Sequence, residues 1–183
     1  MDTKILNTCI AVDDDFNFIY YKNLYVDEIL KERMKGILIS KTLDGKINFT
    51  FEFPDESYLY FHGDVKVYKN NIYAIVKSSR GLDSGYERGI YCFDTDGNYK
   101  WSVNQDNLFG KILVDDKERL YFASYQVNQM TNTVRGMSIF CADNLGNILW
   151  KKDIHNVIAD WIYDIDIGVV LVDIDGNLNK CLN

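Results

Sequence analysis

The sequence predicts an all-β domain built from four copies of one four-stranded unit. Apolar residues alternate with polar ones in short runs, which is the period of a strand rather than the 3.6 of a helix. The chain holds 13 Tyr and 10 Phe but one Pro in 183 residues, a composition that favours strands. Two kinds of hairpin pattern also recur along the whole chain, and this recurrence is the strongest of the three observations.

The clearer hairpin consists of a strand, a turn centred on glycine, and a second strand with a large aromatic residue four positions after that glycine. Three segments share it: residues 36–49, 89–101 and 136–150. The turn glycines are Gly45, Gly97 and Gly146, which lie 52 and 49 residues apart. The aromatic residues are Phe49, Trp101 and Trp150, which keep the same intervals. Equal spacing of both features indicates a duplicated structural unit.

A second kind of hairpin precedes each of these three and occurs once more after the last of them. It covers residues 10–20, 65–73, 112–121 and 165–170, with Asp-Asp, Asn-Asn or similar turn residues between apolar runs. We align its second strands on Tyr20, Tyr73, Tyr121 and Val170, at intervals of 53, 48 and 49 residues. One unit is therefore strand a, tight turn, strand b, long connection, strand c, tight turn and strand d.

A four-stranded repeat of about 48 residues is the signature of a propeller blade. The sequence thus predicts a small four-bladed β-propeller as a single domain over residues 1–183. A β-sandwich with coincidental internal similarity is the alternative. The fourth unit stops before strand d, and we expect residues 4–6 to supply that strand and close the ring, because open sheet edges invite aggregation.

Two of the hairpins carry a more specific resemblance. In residues 89–101 and 139–150 an apolar strand is followed by Asp, then Gly-Asn, then Trp. This pattern resembles the quinoprotein-type (PQQ-like) β-propeller repeat, most strongly in the second and third units. The resemblance implies the fold. It does not extend to quinone chemistry, because nothing in this sequence matches a metal–quinone site, and no cofactor is expected.

The repeat also predicts two different ends for each sheet. The a–b and c–d turns are short and share one end, whereas the b–c and d–a connections share the other. The b–c connections are predicted over residues 22–35, 77–88 and 125–135, and the d–a connections over 53–63, 105–109 and 154–160. Long connections on a rigid scaffold commonly carry binding residues.

We therefore expect a partner to bind the long-connection end through aromatic and acidic side chains. The expected residues are Tyr25, Glu28, Glu32, Asp55, Glu56, Tyr58, Tyr60, His62, Tyr86, Glu87, Asp106, His155, Asp160 and Trp161. Tyrosine and tryptophan are common interface anchors. The alternative for the aromatic residues is packing between blades. A metal site is not predicted, because the ligand spacing is irregular.

Residues 26–34 show a helical spacing of apolar side chains, which fits either a cover for the blade edge or a docking element. Residues 94–98 and 173–177 look like calcium loops but lack the further acidic ligands, so we expect β-turns. The cysteines Cys92 and Cys141 occupy matching strand positions, which favours small buried thiols. No catalytic motif is present.

These observations favour a non-catalytic protein-binding module. One form of it is an inhibitor, or immunity protein, that neutralises a basic toxin such as a nuclease in a bacterial cytoplasm. The alternative is a small-ligand-binding or enzymatic propeller that uses its central channel. The net charge of −7 and pI of about 4.8 disfavour nucleic acid and anionic membrane as partners. Residues 1–7 lack a signal-peptide core, so a cytoplasmic location is expected.

Overall fold

In the computed structural model, the described residues are 10–25, 34–54, 59–78, 89–105, 107–128, 133–154, 158–164, 168–173 and 178–180. All regular secondary structure within these ranges is β-strand, and it forms four antiparallel sheets. This confirms the all-β prediction. The described residues include no helical stretch with the length and hydrophobicity of a transmembrane span. The predicted helix over residues 26–34 lies almost wholly outside the described ranges, and its last residue, Met34, begins a strand.

Three sheets have four strands in chain order, and the described part of the fourth has three. Sheet 1 contains β1 (Ile10–Val12), β2 (Phe18–Tyr25), β3 (Met34–Lys41) and β4 (Ile47–Glu52). Sheet 2 contains β5 (Leu59–Tyr68), β6 (Asn71–Ser78), β7 (Gly89–Asp94) and β8 (Tyr99–Asn104). Sheet 3 contains β9 (Leu108–Val114), β10 (Leu120–Asn128), β11 (Thr133–Ala142) and β12 (Ile148–Ile154). Sheet 4 contains β13 (Ile158–Asp164), β14 (Gly168–Asp173) and β15 (Leu178–Lys180).

The chain divides into two compact units, Met1–Gln105 and Asp106–Asn183. Unit 1 holds sheets 1 and 2, and unit 2 holds sheets 3 and 4. The expectation of one domain over the whole chain stays a prediction. The N-terminal stretch at residues 4–6, expected to add a strand to the fourth sheet, lies outside the described residues.

The core of unit 1 is a stack of aromatic rings between sheets 1 and 2. The Phe53 ring lies 5.2 Å from Phe61 and 5.5 Å edge-on to Tyr91, measured between centroids. Phe51 packs 4.7 Å from Phe93. Rings at these separations add favourable electrostatic contacts to the burial of apolar area. The aromatic content seen in the sequence therefore fixes how the two sheets pack within this unit.

Unit 2 has its own apolar cluster. Tyr121, Met137, Ile139 and Cys141 of sheet 3 pack with Leu171 of sheet 4. Each of these side chains is at most 3% exposed. Alternate residues of a strand point to the same face of the sheet. The contacts join sheets 3 and 4 through these faces, as expected for half-buried antiparallel strands.

Five hairpin turns share one backbone hydrogen-bond pattern. The amide of the first turn residue donates to the carbonyl four residues later, and its own carbonyl accepts from the amide three residues later, at 2.9 to 3.1 Å. The first residues are Asp13, Thr42, Asp94, Asp115 and Asp143. The fourth residue has a positive φ in every case: Phe16, Gly45, Gly97, Glu118 and Gly146. This is a type I turn followed by a left-handed residue, a common three-residue hairpin loop.

The first side chain locks these turns. Asp94 Oδ1 accepts hydrogen bonds from the amides of Asp96 at 3.0 Å and Asn98 at 2.8 Å, and Oδ2 accepts one from Asn98 Nδ2 at 2.9 Å. The hydrogen bond from the Asn147 side chain likewise holds the pKa of Asp143 below its ordinary value. The carboxylate of Asp94 is thus used within the turn, which confirms the β-turn prediction for residues 94–98. Residues 174–177 of the second calcium-like segment lie outside the described ranges.

The turns set an equivalent register in three sheets. A small residue of strand c lies directly opposite the repeated aromatic residue of strand d. The pairs are Ser40 with Phe49, Cys92 with Trp101, and Cys141 with Trp150. In each sheet a bulge follows between this pair and the turn. The predicted glycine and aromatic intervals therefore reflect one repeated hairpin.

The alignment of strand b on Tyr20 is wrong by one residue. Ile19, not Tyr20, pairs with Ser40, whereas Tyr73 pairs with Cys92. Ile19 is fully buried while Tyr20 is partly exposed on the other face. A shift of one residue reverses the face of every side chain in a strand, so matching the amino-acid type alone selected the wrong position.

The strands also extend beyond the predicted bounds, so the connections between sheets and strands are shorter than expected. β2 runs to Tyr25 and β10 to Asn128, where connections were predicted from residues 22 and 125. β5 begins at Leu59 and β13 at Ile158, inside the predicted d–a connections. These stretches contain polar residues, among them Lys22, Asn23 and His62, so sequence alternation alone did not separate strand from loop.

Substitution of the turn glycines tests the shared turn geometry. Gly45→Ala is expected to cost about 1–2 kcal/mol of unfolding free energy, because its φ of 89° suits glycine and no other atom lies near the new methyl group. Gly97→Ala is expected to cost clearly more, because its Cβ would also overlap the Phe49 ring. Urea denaturation of both variants measures the difference. Equal losses would contradict the described packing of Phe49 on this turn.

Candidate interaction site

Five of the fourteen predicted site residues lie in described strands. Tyr25 ends β2, Tyr60 and His62 lie near the start of β5, and Asp160 and Trp161 lie in β13. Tyr25, Tyr60, His62 and Asp160 were expected in connections, and this placement is corrected by the longer strands. Trp161 directly follows the predicted 154–160 connection. The other nine lie outside the described residues: Glu28, Glu32, Asp55, Glu56, Tyr58, Tyr86, Glu87, Asp106 and His155.

The structure brings Tyr60 and His62 together with a lysine that the sequence analysis did not select. Tyr60 and His62 are two positions apart on one face of β5, with ring centroids 6.4 Å apart in an edge-on arrangement. Lys77 of β6 lies directly opposite Tyr60 in the sheet. We call Tyr60, His62 and Lys77 the β5–β6 cluster. It stands where β6 leads into the b–c connection, at the long-connection end of sheet 2.

Partial burial shifts the pKa of all three groups. Burial lowers the pKa of His62, and the positive charge of Lys77 lowers it further. Burial also lowers the pKa of Lys77 and raises that of Tyr60. At neutral pH the imidazole is therefore uncharged, with one nitrogen able to donate and the other able to accept a hydrogen bond. The cluster presents two polar rings and an amine in a half-buried setting.

A bulge in β5 positions His62. Phe61 pairs with Val76 and Val65 pairs with Ala74, so residues 62–64 oppose a single residue of β6. Gly63 within the bulge has φ 74°, and its carbonyl accepts a hydrogen bond from the Tyr21 hydroxyl at 3.0 Å. Bulges redirect side chains and are frequent beside functional sites.

A similar bulge lies between strands a and b of sheet 3 in unit 2, one residue closer to the a–b turn. Tyr121 pairs with Leu113 and Ala123 pairs with Phe109, so three residues of β9 oppose one residue of β10. The bulge is therefore part of the repeated unit and is not peculiar to the β5–β6 cluster. What differs is the residue it carries, which in β5 is a histidine.

A buried asparagine holds β5 against sheet 1. Asn23 of β2 is 2% exposed. Its Nδ2 donates to the Phe61 carbonyl at 2.7 Å, and its Oδ1 accepts from the Phe61 amide at 3.1 Å. These two hydrogen bonds satisfy the amide and carbonyl of Phe61, and burial strengthens both bonds. These two bonds therefore hold the backbone between Tyr60 and His62 against sheet 1.

A glycine permits this close approach of β3 to β5. A Cβ on Gly36 would lie 2.9 Å from the Phe61 amide nitrogen and 2.9 Å from Tyr60 Cα. Only hydrogen fits at such a distance without displacement of the backbone. Gly36, like Asn23, was not selected from the sequence, because its role depends on a contact between two sheets.

Unit 2 contains a second cluster of polar side chains, at the corresponding end of sheet 3. The buried Ser138 hydroxyl donates to Asp153 Oδ1 at 2.7 Å and accepts from Gln126 Nε2 at 3.0 Å. Lys151 lies 3.2 Å from the same carboxylate oxygen. The Ser138 hydrogen bond, with that of Lys151, holds the pKa of Asp153 below its ordinary value. Ser138 thus donates to a carboxylate whose lowered pKa makes it a weak base.

The two described cysteines are structural. Cys92 and Cys141 are free and fully buried. Burial raises the pKa of the Cys92 thiol to about 12 and also raises that of Cys141, so both stay protonated and unreactive. Each is small enough for the flanking rings to meet across strand c, as Tyr73 and Trp101 do at 5.9 Å. Within the described ranges, no three His, Cys, Asp or Glu side chains are grouped to hold a metal ion.

No family model and no curated protein matches the chain. Among solved structures, the chain is similar to acylaminoacyl peptidase of Pyrococcus horikoshii, with a TM-score of 0.57 and 8% sequence identity. That alignment covers 98% of this chain but spans only 33% of the peptidase, so the likeness concerns the fold alone. BamB from Moraxella catarrhalis aligns over 94% of this chain and 66% of its own at 11% identity. Its TM-score of 0.34 is too low to support an argument.

The lowered pKa of His62 predicts a pH effect on stability. The unfolded state binds a proton on this residue at about pH 6.5, whereas the folded state binds it only at lower pH. The free energy of unfolding is therefore expected to fall as the pH decreases from about 6.5 towards the folded pKa. Urea unfolding of wild type and His62→Gln between pH 7.5 and 5 isolates the contribution. Identical pH profiles for the two proteins would contradict the burial of this imidazole.

Proposed function

We propose that the protein is a non-catalytic binding module that holds a protein partner at the long-connection end of unit 1. The observation that carries the proposal is the β5–β6 cluster. Its tyrosine and histidine rings are partly buried and stand on a backbone braced by the buried Asn23. Preorganised aromatic side chains on a rigid strand lose little entropy on binding, which makes them effective anchors.

The chemistry of the cluster supports binding over catalysis. The neutral imidazole and the tyrosine hydroxyl supply both donors and acceptors, and Lys77 adds a further donor on the same face. In unit 2, by contrast, the Asp153 carboxylate is occupied by a hydrogen bond from Ser138 and an ion pair with Lys151. Ser138 donates to Asp153, but the lowered pKa of that carboxyl group makes it a weak base for activating a nucleophile.

In its narrower form the proposal makes the protein an inhibitor of a basic toxin domain. The net charge of −7 supports this form, because opposite net charges accelerate the encounter of two proteins. The described charged residues near this end include the Lys35–Glu52 pair at 2.8 Å and Lys77, so local contacts would be polar and aromatic rather than strongly acidic.

Partner capture tests the binding proposal. Tyr60→Ala combined with His62→Ala is expected to weaken capture of a specific protein from a source lysate at least tenfold, because two anchors are lost. The matched control is Leu145→Ser, which removes a 68% exposed apolar side chain from a turn of unit 2 and is expected to capture like wild type. Circular dichroism checks that each variant is folded. Capture of no specific protein at low salt, or equal capture by all three proteins, would refute the proposal.

We further propose that the four sheets are the blades of a β-propeller closed by residues 4–6. The supporting observation is the repeated unit: the same turn, the same small–aromatic pair and the same bulge recur from sheet to sheet. The described fourth sheet has three strands, and β15 is its last, so a fourth strand from the N-terminal stretch would complete it.

Hydrogen exchange tests this closure. In the full chain the amides of residues 4–6 are expected to be protected, and deletion of residues 1–8 is expected to lower the protection of β15 selectively. The amides of β12 in sheet 3 serve as the internal control. Unprotected amides at residues 4–6, or unchanged protection of β15 after the deletion, would rule out closure by this segment.

A further inference from the structure

The β1–β2 turn contains a conformational anomaly. Phe16 occupies the left-handed position of the turn with φ 62°, where the three c–d turns carry glycine and the β9–β10 turn carries Glu118. A left-handed conformation is unfavourable for a residue with a Cβ, and more so for a bulky one. Phe16 is nevertheless 73% exposed, so packing within the chain does not offset this cost. A strained residue that the fold does not require is a reason to look for a function.

Other apolar side chains are exposed at the same end of sheet 1. The β1–β2 and β3–β4 turns lie at one end because the strands are antiparallel. Leu43 in the second turn is 77% exposed, and Ile47 just after it is 54% exposed. Turn tips usually carry polar residues, and exposed clusters of large apolar side chains mark interaction surfaces.

Carboxylates surround these side chains. Asp13, Asp14 and Asp15 precede Phe16 directly in the turn. A polar hollow of about 400 Å³ is lined by Asp13, Asp15, Lys46, Ile47 and Asp96, with Asn17, Asn48 and Thr95. Three carboxylates face one ammonium group in this hollow. Asp14 and Asp15 are exposed, so their charges are directed at solvent.

An apolar hollow of about 380 Å³ lies on the other side of the β3–β4 turn. It is lined by Ile10, Phe18, Tyr20, Lys41, Thr42, Leu43 and Gly45. Leu43 of this hollow and Ile47 of the polar one belong to the same hairpin. The turn end of sheet 1 thus offers an apolar depression and an acidic depression side by side, with Phe16 exposed beside the acidic one.

We propose that the turn end of sheet 1 is a second interaction surface, which binds a basic protein segment through Phe16, Leu43 and the surrounding carboxylates. The apolar side chains of the segment contact Phe16 and Leu43, and its lysine or arginine groups approach Asp15 and Asp96, because the Asp13 carboxylate already accepts hydrogen bonds within its own turn. Charge complementarity selects a basic segment over a neutral or acidic one. The surface is separate from the β5–β6 cluster, which lies at the opposite end of the strands, so either can fail without the other.

A defined peptide tests this surface. The probe is a 12-residue peptide of four Lys-Leu-Arg repeats, titrated into the full ¹⁵N-labelled chain at low salt. We expect the amide shifts of residues 13–17, 42–48 and 95–97 to change together. The same peptide with Gln in place of Lys and Arg is expected to bind at least tenfold more weakly. A higher salt concentration is expected to weaken binding of the basic peptide, because the ion pairs between peptide and carboxylates are exposed to solvent.

Phe16→Gly separates a binding role from a structural one. Glycine suits the left-handed φ, so this variant is expected to unfold at a higher urea concentration than wild type, yet to bind the basic peptide at least tenfold more weakly. The control is Glu118→Gly, at the equivalent position of the β9–β10 turn with φ 63°, which is expected to bind the peptide like wild type. Undiminished binding by Phe16→Gly, absence of binding by wild type, or shifts confined to Tyr60, His62 and Lys77 would overturn the proposal.

Discussion

Five hairpins in the described part of the chain depend on a turn whose first side chain accepts hydrogen bonds from the rest of the loop. In the Asp94 turn one carboxylate oxygen accepts two backbone amides and the other accepts the Asn98 side chain. These bonds fix the number of residues in the loop, and the loop fixes which residues face each other in the two strands. A slip of one residue would move every inward side chain to the solvent face. The turn therefore determines which residues form the core.

The register explains why small and large residues alternate across the sheets. Cys92 sits between Tyr73 and Trp101, whose rings meet at 5.9 Å across strand c, and Cys141 occupies the same place between Tyr121 and Trp150 at 6.0 Å. With the register held in this way, the backbone can depart from regular strand geometry near the strand ends. The bulge at residues 62–64 orients His62 at one end of sheet 2, while the strained Phe16 stands at the turn end of sheet 1. The Phe16 surface lies on hairpins whose register these turns set.

Much of the scaffold was predictable from sequence, because turn chemistry and small–aromatic pairing are local. Gly97, Trp101 and the intervals between hairpins identified the repeat correctly. The alignment on Tyr20 failed because residue type does not reveal which face is buried. Lys77, Gly36 and Asn23 were missed because their roles arise from pairing or contact between strands distant in sequence. Phe16 was missed because the β1–β2 and β9–β10 turns carry Phe16 and Glu118 where the c–d turns carry glycine, so its left-handed backbone is visible only in the structure.

The most direct test of this account is the strand register in solution. Nuclear Overhauser contacts between protons of directly opposed residues distinguish one register from its neighbours. The structure requires cross-strand contacts between Ser40 and Phe49, Cys92 and Trp101, and Cys141 and Trp150, all three in equivalent positions. Observation of these three sets supports a single repeated hairpin closed by its first turn residue. A slip of one residue in any of the three sheets would contradict it.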